Sequence, residues 1–243
     1  MIKQLCILIL CIFLSFSCEK KTAKKAIEGE TEYFTKRRKD GTRSSVNQLD
    51  EHDRVHGIRI TFYADGNTIY SRQSFDHGKM HGPSAWYYKN GQISSQASFV
   101  QGKKQGLAKK FYNNGEIQAI IEYDNGHPLP GLKEYDDEGE LLTDYPEVTF
   151  WEEDLLKEQA RINLHFSIPN KHQKVKYFII DSSYGTKSRV PLITENGAAK
   201  TKFYVRPGET IERKVEIIAE IKSSYGNPCV YELSYDLKAS NPY

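Results

Sequence analysis

The chain has 243 residues, of which 38% are hydrophobic and 27% charged, with a formal net charge of +2 at pH 7. That balance leaves no concentrated basic face, so nucleic acid is not an expected partner. The length is enough for two domains of ordinary size, and four cysteines at positions 6, 11, 18 and 229 decide what can hold them together.

At the N-terminus one positive residue, Lys3, precedes an apolar run from Leu5 to Leu14, followed by Ser15-Phe16-Ser17-Cys18. The pattern predicts a signal peptide over residues 1–17, too short to span a bilayer. Ser15-Phe16-Ser17-Cys18 resembles a bacterial lipobox, although Phe16 is bulky and Ser15 replaces the usual aliphatic residue. The resemblance implies cleavage before Cys18 and acylation of that cysteine, each buried acyl CH₂ adding about 0.8 kcal/mol of anchoring. Cys6 and Cys11 then leave with the signal, Cys18 carries lipid, and Cys229 is the one remaining thiol. No intrachain disulfide is expected, and stability must come from packing.

Residues 18–48 read as a lipidated N-terminus and basic tether with a degenerate first repeat. Residues 19–48 carry nine Lys/Arg against five Asp/Glu. Beside a lipid anchor that excess attracts anionic headgroups; read more plainly, it is a solvated tether with little fixed structure.

A period of about 25 residues follows. Asp40-Gly41, Asp65-Gly66, Asn90-Gly91, Asn114-Gly115 and Glu138-Gly139 keep one register, and Gly57, Gly82, Gly106 and Gly131 keep a second. Four residues before the turn glycine stands an aromatic residue, Phe62, Tyr87, Phe111 or Tyr135, with Arg37 in that place in the first unit. After each turn the chain alternates: Ile69, Ser71, Gln73, Phe75 match Ile93, Ser95, Ala97, Phe99 and Ile117, Ala119, Ile121, Tyr123. Period two means strands with one more apolar face, and Asx-Gly between such runs is a hairpin signal. Each repeat is therefore predicted as one β-hairpin. Consecutive hairpins form a long antiparallel meander over 49–144, stacking because one hairpin cannot bury its face alone.

Trp86-Tyr87-Tyr88-Lys89-Asn90-Gly91-Gln92, followed by Phe99-x-x-Gly102-Lys103-x-x-Gly106, resembles the bacterial variant of the MORN repeat. Proteins with it are often labelled YwqK-family antitoxins. The resemblance covers roughly residues 49–142 and implies a β-meander used as a scaffold or binding surface. A lipid-anchored envelope protein does not meet a cytoplasmic toxin, so the lipobox argues against the antitoxin label.

Past about Pro146 the glycine register stops, which places a boundary near 145. Ile162, Leu164, Phe166 and Ile168 share one strand face, as do Val175, Tyr177 and Ile179, then Val215, Ile217, Ala219 and Ile221, then Cys229, Tyr231, Leu233, Tyr235 and Leu237. Six or seven strands, with turns at Pro169-Asn170, Tyr184-Gly185, Asn196-Gly197, Pro207-Gly208 and Gly226-Asn227-Pro228, predict a β-sandwich over 145–243. The stretch from Glu152 to Gln159 reads as a polar loop, with one short helix as the alternative. The fold class expected is all-β: a MORN-like antiparallel meander followed by a sandwich.

Four histidines, His52, His56, His77 and His81, repeat an x₃ spacing in neighbouring turns, and imidazole is a common zinc or copper ligand. Later units carry Gln101 with Gln105 and Asn125 with Pro130 at the aligned places, ordinary turn residues, so no metal or other cofactor is expected. The candidate binding residues are Tyr63, Trp86, Tyr88 and Tyr112, which alternation places opposite Phe62, Tyr87 and Phe111, as a stripe of rings able to grip a glycan or extended peptide. Packing against neighbouring strands is the competing use. No HExxH, GxSxG or phosphate loop is present, and Cys229 alternates with apolar positions like a buried small hydrophobe.

These features lead to the expectation of a non-enzymatic envelope lipoprotein, at the outer rather than the inner membrane, binding a protein or glycan partner through its repeat sheet. The alternative is an immunity-type lipoprotein that neutralises an exported toxin.

Overall fold

The computed structural model describes residues 33–169, 174–182 and 187–243. The signal segment, Cys18 and residues 19–32 of the expected tether lie outside the described residues, as do Asn170, Tyr184 and Gly185 of two expected turns. Among the described residues no helix is long and apolar enough to cross a membrane.

Eight strands run in sequence order across one antiparallel sheet: β1 (Tyr33–Arg37), β2 (Arg43–Leu49), β3 (Val55–Phe62), β4 (Ile69–Asp76), β5 (Lys79–Tyr87), β6 (Ile93–Val100), β7 (Lys103–Phe111) and β8 (Ile117–Asp124). Two short strands, β9 (His127–Pro128) and β10 (Lys133–Glu134), pair with β8 and finish the sheet. The hairpin β1–β2 falls at the degenerate first repeat of the stretch expected as tether, and from Tyr33 onward that stretch is sheet.

The two glycine series do different work. At Asp65-Gly66 the hairpin closes through a four-residue loop: Gly66 N–H donates to Tyr63 O, Tyr63 N–H to Thr68 O, and the Asp65 carboxylate accepts from the amides of Asn67 and Thr68. The turns at Gly41, Gly91 and Gly115 close one residue shorter, as where Tyr88 N–H donates to Gln92 O. Hydrogen bonds from Thr68 and Asn67 hold the Asp65 carboxyl down at about 2 from 3.8. A depressed carboxyl pKa stabilises the fold above about 4, and this contribution is lost as pH falls toward 2. Gly57, Gly82 and Gly106 mark bulges instead. Opposite Ser74, β5 carries His81-Gly82-Pro83; opposite Ala97, β7 carries Gly106-Leu107-Ala108. Positive φ at these glycines, +92° at Gly82 and +74° at Gly106, lets the strand absorb the extra residues without breaking register beyond them.

This geometry separates two otherwise similar turn glycines. A Cβ on Gly66 (φ +72°) would stand 2.9 Å from the backbone nitrogen of Arg43, whereas one on Gly91 (φ +87°) would meet nothing within 4 Å. Both substitutions to alanine pay the left-handed strain of about 1 kcal/mol. Gly66→Ala should lose a further ~1 kcal/mol or more from overpacking, read as a lower denaturant midpoint than Gly91→Ala.

The C-terminal part adds β11 (Thr149–Leu155), a helical turn α1 (Leu156–Gln159), β12 (Arg161–Ser167), β13 (Lys176–Asp181), β14 (Ser188–Pro191), β15 (Thr194–Glu195), β16 (Ala198–Tyr204), β17 (Thr210–Lys222) and β18 (Pro228–Ser240). They form two four-stranded antiparallel sheets, ordered β11-β12-β16-β15 and β14-β13-β17-β18. Ile162, Leu164 and Phe166 of one sheet pack with Tyr177, Val215, Ile217, Ile221 and Leu237 of the other, giving the sandwich core. Each such side chain contributes about 1.5–3 kcal/mol by leaving water. The stretch expected as a polar loop, with a short helix as the alternative, continues β11 through Leu155 and ends in the helical turn α1 over its last four residues. The acidic side chains lie along an edge strand, where they meet solvent, while buried Leu156 anchors the turn to the core.

Candidate binding surface

Cross-strand register assigns every side chain of the repeat sheet to a face. Ser84↔Ala97, Gly82↔Phe99, Ala108↔Ile121 and Gly106↔Tyr123 share one. Its buried cluster is Ala97, Phe99, Ala108, Ala119, Ile121 and Tyr123, with Met80, Trp86 and Leu132 packed against it. These cluster residues from β6 and β8 are the ones the post-turn alternation marks as apolar. Long cationic side chains lie over the aromatic rings of the sheet: Arg43 over Phe62 at 4.6 Å, Arg59 over Phe75 at 4.8 Å, Lys104 over Tyr123 at 4.7 Å. Such stems cover apolar surface while the charge stays near water. Burial, with Lys110 alongside, lowers the Lys104 ammonium pKa.

The four aromatic residues singled out from the sequence divide between two jobs. Trp86, half-buried, packs against the buried cluster, its ring 6.2 Å from that of Phe99. Tyr63, Tyr88 and Tyr112 form a ladder along the turn edge. The Tyr63 hydroxyl donates to Tyr87 O (2.6 Å), Tyr88 to Phe111 O (2.7 Å) and Tyr112 to Tyr135 O (2.8 Å), each reaching one repeat onward. Burial and the nearby Tyr225 hydroxyl push the Tyr112 phenol up to about 12. In the first unit Arg38 stands where later units have tyrosine, and its Nη2 donates to Phe62 O at 2.7 Å. That substitution explains why a unit degenerate in sequence still folds as a hairpin. On the opposing set, Phe62 is buried, while Tyr87 and Phe111 are half-buried.

The face away from the cluster is open. Ile58, Ser74, Pro83, Ala85, Ser98 and Leu107 line a shallow trough of about 510 Å³ crossing β3 to β7. Leu107 is 57% exposed there, a large apolar residue with no cover. Its signal in the sequence was its place in the bulge, beside Gly106.

Of the four histidines, the fold gathers His56 and His77 with Asp76, the three offering ligand atoms within 4.8 Å of one another. His52 lies beside Glu51, and His81 is exposed outside the group. Cys229 is buried with a free thiol, its pKa raised chiefly by burial.

One polar centre carries no motif in the sequence. Glu134 of β10, 1% exposed, accepts hydrogen bonds from the Tyr145 hydroxyl (3.1 Å), the Ser223 hydroxyl (2.6 Å) and the Asn227 side-chain amide. It joins the end of the repeat sheet to the β17–β18 turn, where Leu132 also packs against both apolar clusters. Only the tertiary fold brings residues 89 and 93 positions apart to one carboxyl group.

No curated protein matches the chain closely. Residues 80–101 and 104–125 each match the MORN repeat variant, and they coincide with the hairpins β5–β6 and β7–β8. The chain therefore carries two adjacent MORN repeat variants inside a sheet that continues the same hairpin geometry on both sides.

Proposed function

We propose that this chain is a lipid-anchored protein of the bacterial cell envelope that catalyses nothing and holds a protein or glycan partner on the open face of its repeat sheet. Two MORN repeat variants support a binding or scaffold role. The observation that carries the choice of surface is the trough over β3 to β7, with exposed Leu107 among the residues that line it. The other face is filled by its own cluster, and the tyrosine hydroxyls of the turn edge are engaged with the next repeat. A long shallow trough suits an extended partner better than a small molecule. For the anchor, Cys18 after an apolar run of signal length is the support, and outer-membrane placement follows the same reading.

Two measurements test this reading. Cys18→Ala should leave an unprocessed or unanchored chain that no longer fractionates with membranes. Retention of the variant through a detergent-sensitive acyl linkage would remove the anchor from the proposal. Leu107→Asp with Ala85→Asp should lower recovery of the envelope partner at least about tenfold, since a charge in an apolar contact is left unpaired. The melting temperature should hold. Undiminished recovery would point away from this face.

A further inference from the structure

We propose that His56, Asp76 and His77 bind a divalent late transition-metal ion, zinc being the type case, through two imidazole nitrogens and one carboxylate oxygen. The three residues converge because of strand register. Gly57 pairs with Phe75 across β3 and β4, and the Gly78 amide donates to Val55 O at 2.7 Å, which sets His56 beside the end of β4 and the turn after it. His56 Nδ1 lies 3.3 Å from Asp76 Oδ1, and His77 Nδ1 lies 2.6 Å from that oxygen. The two rings stand 4.7 Å apart between centroids. Ligand atoms about 2.05 Å from a tetrahedral ion are about 3.3 Å apart, so the first pair already has the required separation. The second opens by about 0.7 Å when a hydrogen bond is exchanged for shared coordination.

The repeat supplies its own comparison. Two units on, the same positions are Gln105, Asp124 and Asn125. There the Gln105 side chain divides the work between two atoms: Oε1 accepts from the Asn125 amide at 2.9 Å, and Nε2 donates to Asp124 Oδ1 at 3.1 Å. In the earlier unit one atom, His56 Nδ1, faces both the His77 amide, at a long 3.4 Å, and the Asp76 carboxylate. A single ring nitrogen cannot accept from one and donate to the other at once. A cation between nitrogen and carboxylate takes the lone pair of the one and the charge of the other, and the His77 amide, already at a long 3.4 Å in an exposed turn, turns to water instead. Two imidazoles and one carboxylate favour borderline ions such as Zn²⁺, Ni²⁺ or Cu²⁺ over Ca²⁺, which takes oxygen ligands. The side chains remain 49%, 55% and 39% exposed for His56, His77 and Asp76, which leaves an approach for the ion and at least one coordination position toward solvent.

The test titrates detergent-solubilised full-length protein with Zn²⁺ alone against a chromogenic chelator, and follows the imidazole ¹⁵N signals. One ion per chain should bind, shifting the Nδ1 resonances of His56 and His77, and excess Ca²⁺ should not displace it. The double variant H56Q/H77N installs the side chains that the later unit uses in the same turn, so its melting temperature should hold while zinc affinity falls about 100-fold or more. Asp76→Asn should also weaken binding, and His81→Gln should leave it unchanged. Absence of uptake by the natural chain at a large excess of zinc would overturn the proposal, as would undiminished affinity in H56Q/H77N or equal loss in His81→Gln.

Discussion

Glu134→Leu should lower the free energy of unfolding by about 3 kcal/mol or more, since the hydroxyls of Tyr145 and Ser223 and the amide of Asn227 lose one shared acceptor inside the protein. Leucine matches the volume but offers nothing to these donors, and Asn227, fully buried, has no route to water. Its Oδ1 already finds no protein partner, so the site starts with little slack. Glu134→Gln should fall between, because its amide oxygen still accepts while its NH₂ group faces other donors. The two tryptophans make the consequence visible: Trp86 reports the repeat sheet and Trp151 the sandwich. In chemical denaturation of the natural chain the two signals, separated with Trp86→Phe and Trp151→Phe backgrounds, should give one transition. In Glu134→Leu they should separate. Coincident transitions in the variant, with stability unchanged, would mean that packing around Leu132 alone couples the sheets.

What the sequence displays and what it hides follow from the range of the interactions. The glycine register and the alternation after each turn are local, so the meander is legible from residues within one 25-residue unit. So is the sandwich, whose inward faces at Ile162 to Phe166 and Val215 to Ile221 alternate with period two. The first hairpin is announced by Asp40-Gly41 but its unit is degenerate, because Arg38 performs a tyrosine's task with different chemistry: a guanidinium N–H, instead of a phenol O–H, reaches the carbonyl of Phe62. The helical turn after β11 hides behind an acidic run whose polarity suggests a loop. Glu134 is invisible, since nothing near it in the chain says that residues about 90 positions later will bury it. The His56–Asp76–His77 group sits between these cases. The histidine spacing and the Asp76-His77 pair are plain, but only the β3–β4 register brings His56 to that pair and leaves His52 and His81 out.

Changing Tyr63, Tyr88 and Tyr112 together to phenylalanine should cost about 3 kcal/mol, about 1 for each hydroxyl bond removed. Phenylalanine keeps the ring, so the loss reads the hydroxyl alone. Each bond spans 23 or 24 residues and ties the end of one repeat to the carbonyl of the next. In a stack where each unit touches only its neighbours, such ties are interface terms, and their removal should add almost independently across sites one repeat apart. The single variants therefore predict the triple to within about 0.5 kcal/mol. The same experiment bears on the surface that holds a partner, because a ring fixed by its hydroxyl against the next repeat is less available to turn outward. If denaturant unfolding shows the expected loss while partner recovery at saturating stability is unchanged, the tyrosines hold the stack and the trough beside Leu107 holds the partner. A triple variant that keeps its melting temperature and loses the partner would return the three rings to the binding surface.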